Sequence, residues 1–437
     1  MKKAELVLIP SPGISHLVPT IEFAKRLLDR DDRFSITVLV IPKSLTGSSE
    51  YTQSLPASDT RIRFINLPVV ETPSLEKSEV SKEKLVADHR ESYKPYVKEA
   101  IIKNVLSNSD SVPLAGMVFD MFCSSMVDVG KELGVPSHLF FTCNAACLAL
   151  MLYLPGRDDE VRREFEDFDS ACVIPGYVNQ VPSKVWPLFL FNKYGGYESF
   201  VKHGRRFKET KGIIVNTYSE LEADAVKCLM NDFEDGDVPP VYTVGPLIDM
   251  KGESDKIVFL CFGSQGSFGE DQVKQIALGL EKCGHRFLWS LRKPPQNDKI
   301  GLPSDYKGDH FQEVLPNGFL ERTKKMGTVC GWAPQKAVLA HKSVGGFVSH
   351  CGWDSILESL WFGVPIVTWP MYAVQQINAF LMVKDLGLGV ELRLDYRNTS
   401  GEVVLGDEIA SAIKCVMESD NEVRRRSKRR MKRADQR

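Results

Sequence analysis

The chain alternates between two hydrophobic patterns. Short, nearly unbroken apolar runs are followed by stretches whose apolar residues recur every three or four positions. Examples are "LVLIP" (6–10) then "VPTIEFAKRLLDR" (18–30), "FSITVLVIP", "RIRFINLP", "LAGMVFD" (114–120) then "SSMVDVGKELG", and "SHLFFT" then "CNAACLALMLYL". Apolar strands joined through helices predict a parallel sheet covered on both faces. A second series starts at "KIVFLCFGS" (256–264) and runs through "EDQVKQIALGLEKCG", "RFLWSLR", "GTVCGW", "VGGFVSH", "DSILESLWFG", "PIVTWP" and "QQINAFLMVKDLG". Between the two lies "DMKGESD", 249–255, polar and glycine-bearing, which reads as a linker. The expected fold is α/β, with two doubly wound domains, 1–248 and 256–437, facing across a cleft. No internal repeat is visible beyond the shared alternation.

In open α/β sheets, ligands bind outside the carboxyl ends of the strands, where loops enter helices. His16, Asp120, Ser264, His350 and Gln375 all fall at such junctions. They are the first candidates for chemistry.

Composition narrows the partner. A chain of 437 residues exceeds the ~250 to 300 at which single cores stop growing, so two domains are the default. A net charge of −2 gives no electrostatic case for nucleic acid or an anionic membrane. No apolar run reaches the ~18 residues of a membrane span, and Glu5 and Pro10 interrupt the one stretch that begins like a leader. The ten cysteines form no CxxC pair and have no paired histidines. They read as reduced thiols of a cytoplasmic protein, and no metal site is expected. The partner is expected to be a small molecule and the protein a monomer.

The stretch "WAPQKAVLAHKSVGGFVSHCGWDSILESLWFGVPIVTWPMYAVQ", 332–375, resembles the nucleotide-sugar box of plant family 1 UDP-glycosyltransferases almost throughout. With "PSPGISH" at 10–16, the resemblance covers nearly the whole chain and implies the GT-B fold, two Rossmann-like domains. It implies an inverting, UDP-glucose-dependent O-glucosyltransferase acting on a small hydrophobic hydroxylated metabolite such as a flavonoid, phenolic or terpenoid. UDP-glucose is then a co-substrate, with no cofactor and no metal. The box implies that Trp332 stacks on uracil, Ala333 bonds it through the backbone, and Gln335 and Glu358 reach the ribose. His350, Gly352 and Ser355 would hold the diphosphate at a helix start, where backbone N–H groups and the helix dipole favour an anion. His350 and the helix start would take the part of a cation. Ser264, Trp353, Asp354 and Gln375 complete the donor set. In the family the residue matching His16 is the base for the acceptor hydroxyl, and the residue matching Asp120 orients it. A neutral histidine, with an ordinary pKa near ~6.5, suits that task. Phe122, Trp186, Phe189 and Phe191 are expected to line the acceptor pocket.

The chain departs from the family pattern in several places. Asp354 stands where the box carries Asn, Val374 where it carries an acid, and Ser15 where relatives often carry Gly. The linker is short. The sequence closes on "VRRRSKRRMKRADQR", expected to be a frayed helix cut before the family's terminal one. Val374 cannot accept a hydrogen bond from a sugar, and Asp354 sets an anion beside a diphosphate. These departures keep open a second reading, a non-catalytic descendant that retains the fold and UDP.

Overall fold

A computed structural model describes residues 4–42, 60–70, 80–107, 112–166, 172–231, 238–245, 257–295, 302–306, 311–341, 343–398, 401–418 and 422–427. The expected linker, 249–255, and the tail beyond 427 lie outside these residues. The chain divides into two compact units. One comprises Met1–Asp169, Val173–Tyr177 and Leu188–Leu247; the other comprises Ser170–Cys172, Val178–Pro187 and Ile248–Arg437. Val178–Pro187 thus packs with the second unit although it precedes residue 248.

In the first unit, β1 (Ala4–Ile9) leads into α1 (Ile14–Arg30), then β2 (Phe34–Val40) and β3 (Ile62–Asn66). Helices α2 (Lys82–Glu91) and α3 (Lys94–Ile101) precede β4 (Leu114–Asp120), α4 (Val127–Leu133), β5 (Ser137–Phe141) and α5 (Ala145–Val161). Helix α6 (Gly196–Phe207), β6 (Gly212–Val215), α7 (Ala223–Asn231) and β7 (Val241–Thr243) complete it. The sheet order is β3-β2-β1-β4-β5-β6-β7, and every pairing is parallel. Val7, Leu8 and Ile9 of β1 are fully buried, which is why that run shows no alternation. Leu17, Ile21 and Ala24 of α1 fall on one helical face and pack on Leu8, Ile36, Val118 and Phe140.

The second unit runs β8 (Ile257–Cys261), α8 (Glu270–Cys283) and β9 (Phe287–Ser290). It continues with the hairpin strands β10 (Arg292–Lys293) and β11 (Ser304–Asp305), then β12 (Gly327–Cys330) and the short α9 (Gln335–Leu339). It ends with β13 (Val344–Ser349), α10 (Trp353–Trp361), β14 (Ile366–Thr368), α11 (Gln375–Phe380), β15 (Gly389–Glu391) and α12 (Gly406–Met417). The main sheet, again all parallel, has the order β12-β9-β8-β13-β14-β15.

The described part of the basic tail is not frayed. Residues 422–427 are helical, and buried Arg424 donates to the carbonyls of Gly345 (2.8 Å), Val416 (2.7 Å) and Glu418 (3.1 Å). None of the ten cysteines is in a disulfide, and seven are buried.

Helix α5 is apolar on all sides from Ala145 to Leu152, so its start is deep in the first unit and its N–H groups need internal partners. Asn144 Oδ1 accepts from Cys147 N at 2.6 Å. Glu222 accepts from Ala145 N at 3.0 Å, from Ala146 N at 3.1 Å and from the Thr217 hydroxyl. Burial pushes the Glu222 carboxyl above its ordinary range, and these three donors oppose the shift. Replacing Glu222 by Ala strands all three donors, so Glu222→Ala should destabilise the protein by about 2 to 4 kcal/mol in chemical denaturation. A loss below about 0.5 kcal/mol, the range of neutral surface changes, would contradict this capping role.

Candidate active site

Both sheets reverse their strand order at their first strand. In the first unit the chain builds outward from β1 through β2 to β3, then returns to β4 on the other side of β1. In the second it builds from β8 through β9 to β12 and returns to β13. Such switch points open a crevice at the strand carboxyl ends. The sequence candidates fall at these two places.

At the first, Gly13 adopts φ 134°, and the chain turns there from β1 into α1. His16 follows in the first turn. Its Nδ1 lies 2.8 Å from Asp120 Oδ2, at the end of β4, and the Asp120 side chain is fully buried. A carboxylate oxygen accepts, so Nδ1 carries the proton and Nε2 keeps its lone pair. The other carboxylate oxygen accepts from Phe122 N at 3.0 Å, which fixes the group from both sides. Thr142, one residue past β5, was not singled out in the sequence. Its hydroxyl lies 3.1 Å from His16 Nδ1 and 3.5 Å from Asp120 Oδ2, so three adjacent strands contribute one group each. The Phe122 ring meets His16 edge-on at 5.3 Å.

Of the expected acceptor-pocket aromatics, Phe122 and Phe191 are half-buried, and Phe189 stacks on Phe200 at 3.5 Å. Trp186 is a correction. It is fully buried in the second unit, with its indole N–H donating to Val181 O at 3.1 Å and its carbonyl accepting from Arg397 at 2.8 Å. It has no exposed face to line a pocket.

At the second switch point, His350 is wedged between two glycines. A Cβ added to Gly263 would come within 2.5 Å of His350 Nε2, and one added to Gly352 within 2.7 Å. Burial lowers the His350 pKa to about 4. A neutral ring keeps one N–H donor. Its Nδ1 is buried with no hydrogen-bond partner among the described residues. Positive character comes instead from the start of α10, where Gly352 offers no side-chain cap. Cys351 is held at φ 61°, with Ser349 Oγ accepting from its N–H at 3.1 Å and Asn378 donating to its carbonyl at 3.0 Å. Ser264 is exposed on the turn after β8. Trp353 is buried, while Asp354 is half-buried in the same turn.

The box residues on α9 and α10 meet. Gln335 Nε2 donates to Ser355 Oγ and to Glu358 Oε2, both at 2.8 Å. Burial raises the Glu358 pKa, opposed by that bond and by the charge of Lys336. Trp332 is 53% exposed, an unusual position for so large a ring, whereas Ala333 is buried. The loop carrying Trp332 is tied down by residues the sequence did not signal. Asp305 accepts from Trp332 N at 2.8 Å and pairs with Arg292 at 2.9 Å, and Ser290 donates to Gly331 O at 2.8 Å.

Gln375 opens α11, after β14. Its Oε1 accepts from Met371 N (3.0 Å) and Tyr372 N (3.1 Å). Its acceptor oxygen therefore holds a turn in which Ala373 adopts φ 58°. Beside it, Val374 is half-buried and caps nothing with its side chain. Among the described residues no group of three or more His, Cys, Asp or Glu could hold a metal ion, and no helix is long and apolar enough to cross a membrane.

The family described as UDP-glucoronosyl and UDP-glucosyl transferase matches residues 245–426. UDP-glycosyltransferase 71K1 of Malus domestica is 50% identical, over 98% of this chain and 93% of its own length. The chain belongs to the plant family 1 UDP-glycosyltransferases. A putative UDP-glucose flavonoid 3-O-glucosyltransferase 3 of Fragaria ananassa is 47% identical over 98% of the chain and 94% of its own. The crystal structure of Medicago truncatula UGT71G1 complexed with UDP-glucose superposes with a TM-score of 0.87. It is 44% identical, covering 99% of this chain and 94% of that one.

For this UDP-glycosyltransferase, the wedge around His350 gives a direct test. Gly263 has φ 73° and no room for a methyl group, so Gly263→Ala must displace the His350 ring. UDP affinity measured by calorimetry should fall at least about tenfold, or ~1.4 kcal/mol, with an unchanged far-UV circular dichroism spectrum. Equal affinity in variant and parent would remove His350 from the donor site.

Proposed function

We propose that the protein transfers glucose from UDP-glucose to a hydroxyl of a small plant metabolite, with inversion at the anomeric carbon. The observation that carries this reading is the 2.8 Å bond between His16 Nδ1 and Asp120, which leaves Nε2 as the basic nitrogen. In this reading Nε2 takes the acceptor hydroxyl proton as the oxygen attacks the anomeric carbon from the face opposite UDP. The imidazolium that forms is stabilised by Asp120, which also fixes the tautomer. Thr142 restrains the same pair. Residues 1–248 supply the base and, except for Val178–Pro187, the acceptor contacts; residues 256–437 hold the donor.

The donor half is assigned from the box. Trp332 is to stack on uracil and Glu358, set by Gln335, to accept from the ribose. The first turn of α10, with His350 and Ser355, is to meet the diphosphate. Negative charge grows on UDP as the glycosidic bond breaks, and N–H dipoles already pointing there need no reorganisation. No metal is invoked. Ten cysteines outside any disulfide suit a reducing, cytoplasmic setting, and we take the working unit to be the monomer.

The decisive experiment incubates UDP-glucose with a panel of phenolic, flavonoid and terpenoid alcohols and reads products of glucose mass. On any accepted alcohol, His16→Ala should lower kcat by about 10² to 10⁴ and leave UDP affinity as it was. A variant that keeps the parental rate would remove His16 from the mechanism.

The two departures in the box give a second test. Val374→Glu restores an acceptor for sugar hydroxyls, and Asp354→Asn removes an anion from the diphosphate's surroundings. Charge-assisted bonds contribute roughly 1.5 to 3 kcal/mol each, so the double variant should raise kcat/KM for UDP-glucose by about tenfold or more. Val374→Glu alone should improve UDP-glucose more than UDP, and Asp354→Asn should improve both. No gain from the pair on any accepted alcohol would show that these positions do not limit donor use.

A further inference from the structure

Arg90 closes the last turn of α2 and is 7% exposed. Its Nε donates to Ser11 Oγ at 3.3 Å, and its Nη1 donates to His89 Nδ1 at 2.6 Å. Both partners are neutral. His89 accepts through Nδ1 while its ring also bonds the Val70 backbone, and burial, then the charge of Arg90, lowers its pKa. Among the described residues no carboxylate pairs with Arg90, and its Nη2 has no partner. An arginine this deeply buried is normally paired, because removing an ion from water without a counter-ion is costly. The carbonyls at the end of α2 offset part of that cost and no more.

The guanidinium lies beside the dyad's crevice. Ser11 belongs to the β1–α1 loop that leads to His16. Helix α2 packs on residues 121–126, the turn that follows Asp120. The Asp120 carboxylate acts electrostatically on Arg90 from beyond ion-pair range. A cation with an unused N–H edge therefore stands next to the proposed acceptor hydroxyl site.

We propose that Arg90 receives a carboxylate of the acceptor, so that the preferred substrates are hydroxylated acids rather than neutral phenols or alcohols. The proposal rests on the transferase reading above and adds the acceptor's charge. A carboxylate is the anion that fits: it is planar, matches the parallel N–H groups of a guanidinium, and carries one charge. A phosphate would bring nearly twice that charge towards the buried Asp120. Arg90 acts here as a specificity-determining residue, and transfer to the hydroxyl remains the work of His16.

The test uses 4-hydroxybenzoate, its methyl ester and its primary amide as acceptors at saturating UDP-glucose. The parent should favour the acid over the ester and the amide by at least tenfold in kcat/KM, mainly through KM. Arg90→Met should abolish that preference while keeping turnover of the ester, and Arg90→Lys should restore part of it. A parent that does not favour the acid, or an Arg90→Met variant that loses acid and ester alike, would overturn the proposal; the second result marks a structural arginine. Should Arg90→Met fail to fold, the parent's acid-to-ester ratio and its change in Arg90→Lys decide the matter. Absence of product from every acceptor, the neutral panel included, would instead remove the transferase reading beneath it.

Discussion

A parallel strand bonded on both sides and covered by helices has no free edge and no exposed face, so chemistry can emerge only at its ends. Each unit here is built on that constraint. In both, the chain starts a sheet in the middle, builds one way, and returns to the other side of its first strand. The helices that leave β1 and β4, and those that leave β8 and β13, diverge at the reversal and leave room between them. His16 and Asp120 occupy one reversal; Gly263 and His350 occupy the other. Even the groups that assist them, Thr142 after β5 and Gln375 after β14, issue from neighbouring carboxyl ends.

The two ends carry opposite electrostatic character. At the dyad, a fully buried carboxylate faces an imidazole through one bond, favouring positive charge on the ring when a proton arrives. At the second switch point burial lowers the His350 pKa to about 4, and the positive character belongs to the backbone dipoles at the start of α10. That end is also strained. Cys351 and Ala373 are two of the three described non-glycine residues with positive φ, and each is over-determined by side chains that serve the backbone. Asn378 and Ser349 hold the first turn, and Gln375 holds the second. Strain maintained in this way fixes where N–H groups point before a ligand arrives.

Much of this was legible in the sequence because burial on both faces leaves strand runs without alternation, and such runs are easy to find. "LAGMVFD" ends on Asp120, as its strand does, and "VGGFVSH" ends on His350, one residue past its strand. Residues brought in from far along the chain were less visible. Thr142 reaches the dyad through the lateral order of strands, and Arg90 reaches the β1–α1 loop at Ser11 through the return of α2; no local pattern encodes either. Asp305 and Arg292, on a two-residue hairpin, hold Trp332 from outside the box. Trp186 misled because a tryptophan in a proline-rich loop reads as a pocket wall, whereas here a buried N–H bond and Arg397 draw it into a core. The resemblance to the family placed Gln375 in the donor set, and only the side-chain bonds reveal that its oxygen accepts from two backbone N–H groups.

That last point changes the weight of Val374. If the glutamine oxygen were available, the loss of an acid next to it would leave one acceptor for sugar hydroxyls. With the oxygen committed to Met371 and Tyr372, residue 374 is the position where an acceptor could be added without undoing the turn, and it carries an isopropyl group. The cluster of Gln335, Ser355 and Glu358 and the exposed Trp332 are untouched by this change. In the proposed assignment they concentrate binding energy on the nucleotide, which is shared by substrate, transition state and product. Such uniform binding lowers KM without raising kcat. In the same assignment the sugar contacts are the ones that would strengthen as charge develops at the anomeric carbon, so the side chain at 374 would bear on turnover and on the choice between sugars more than on the grip for UDP.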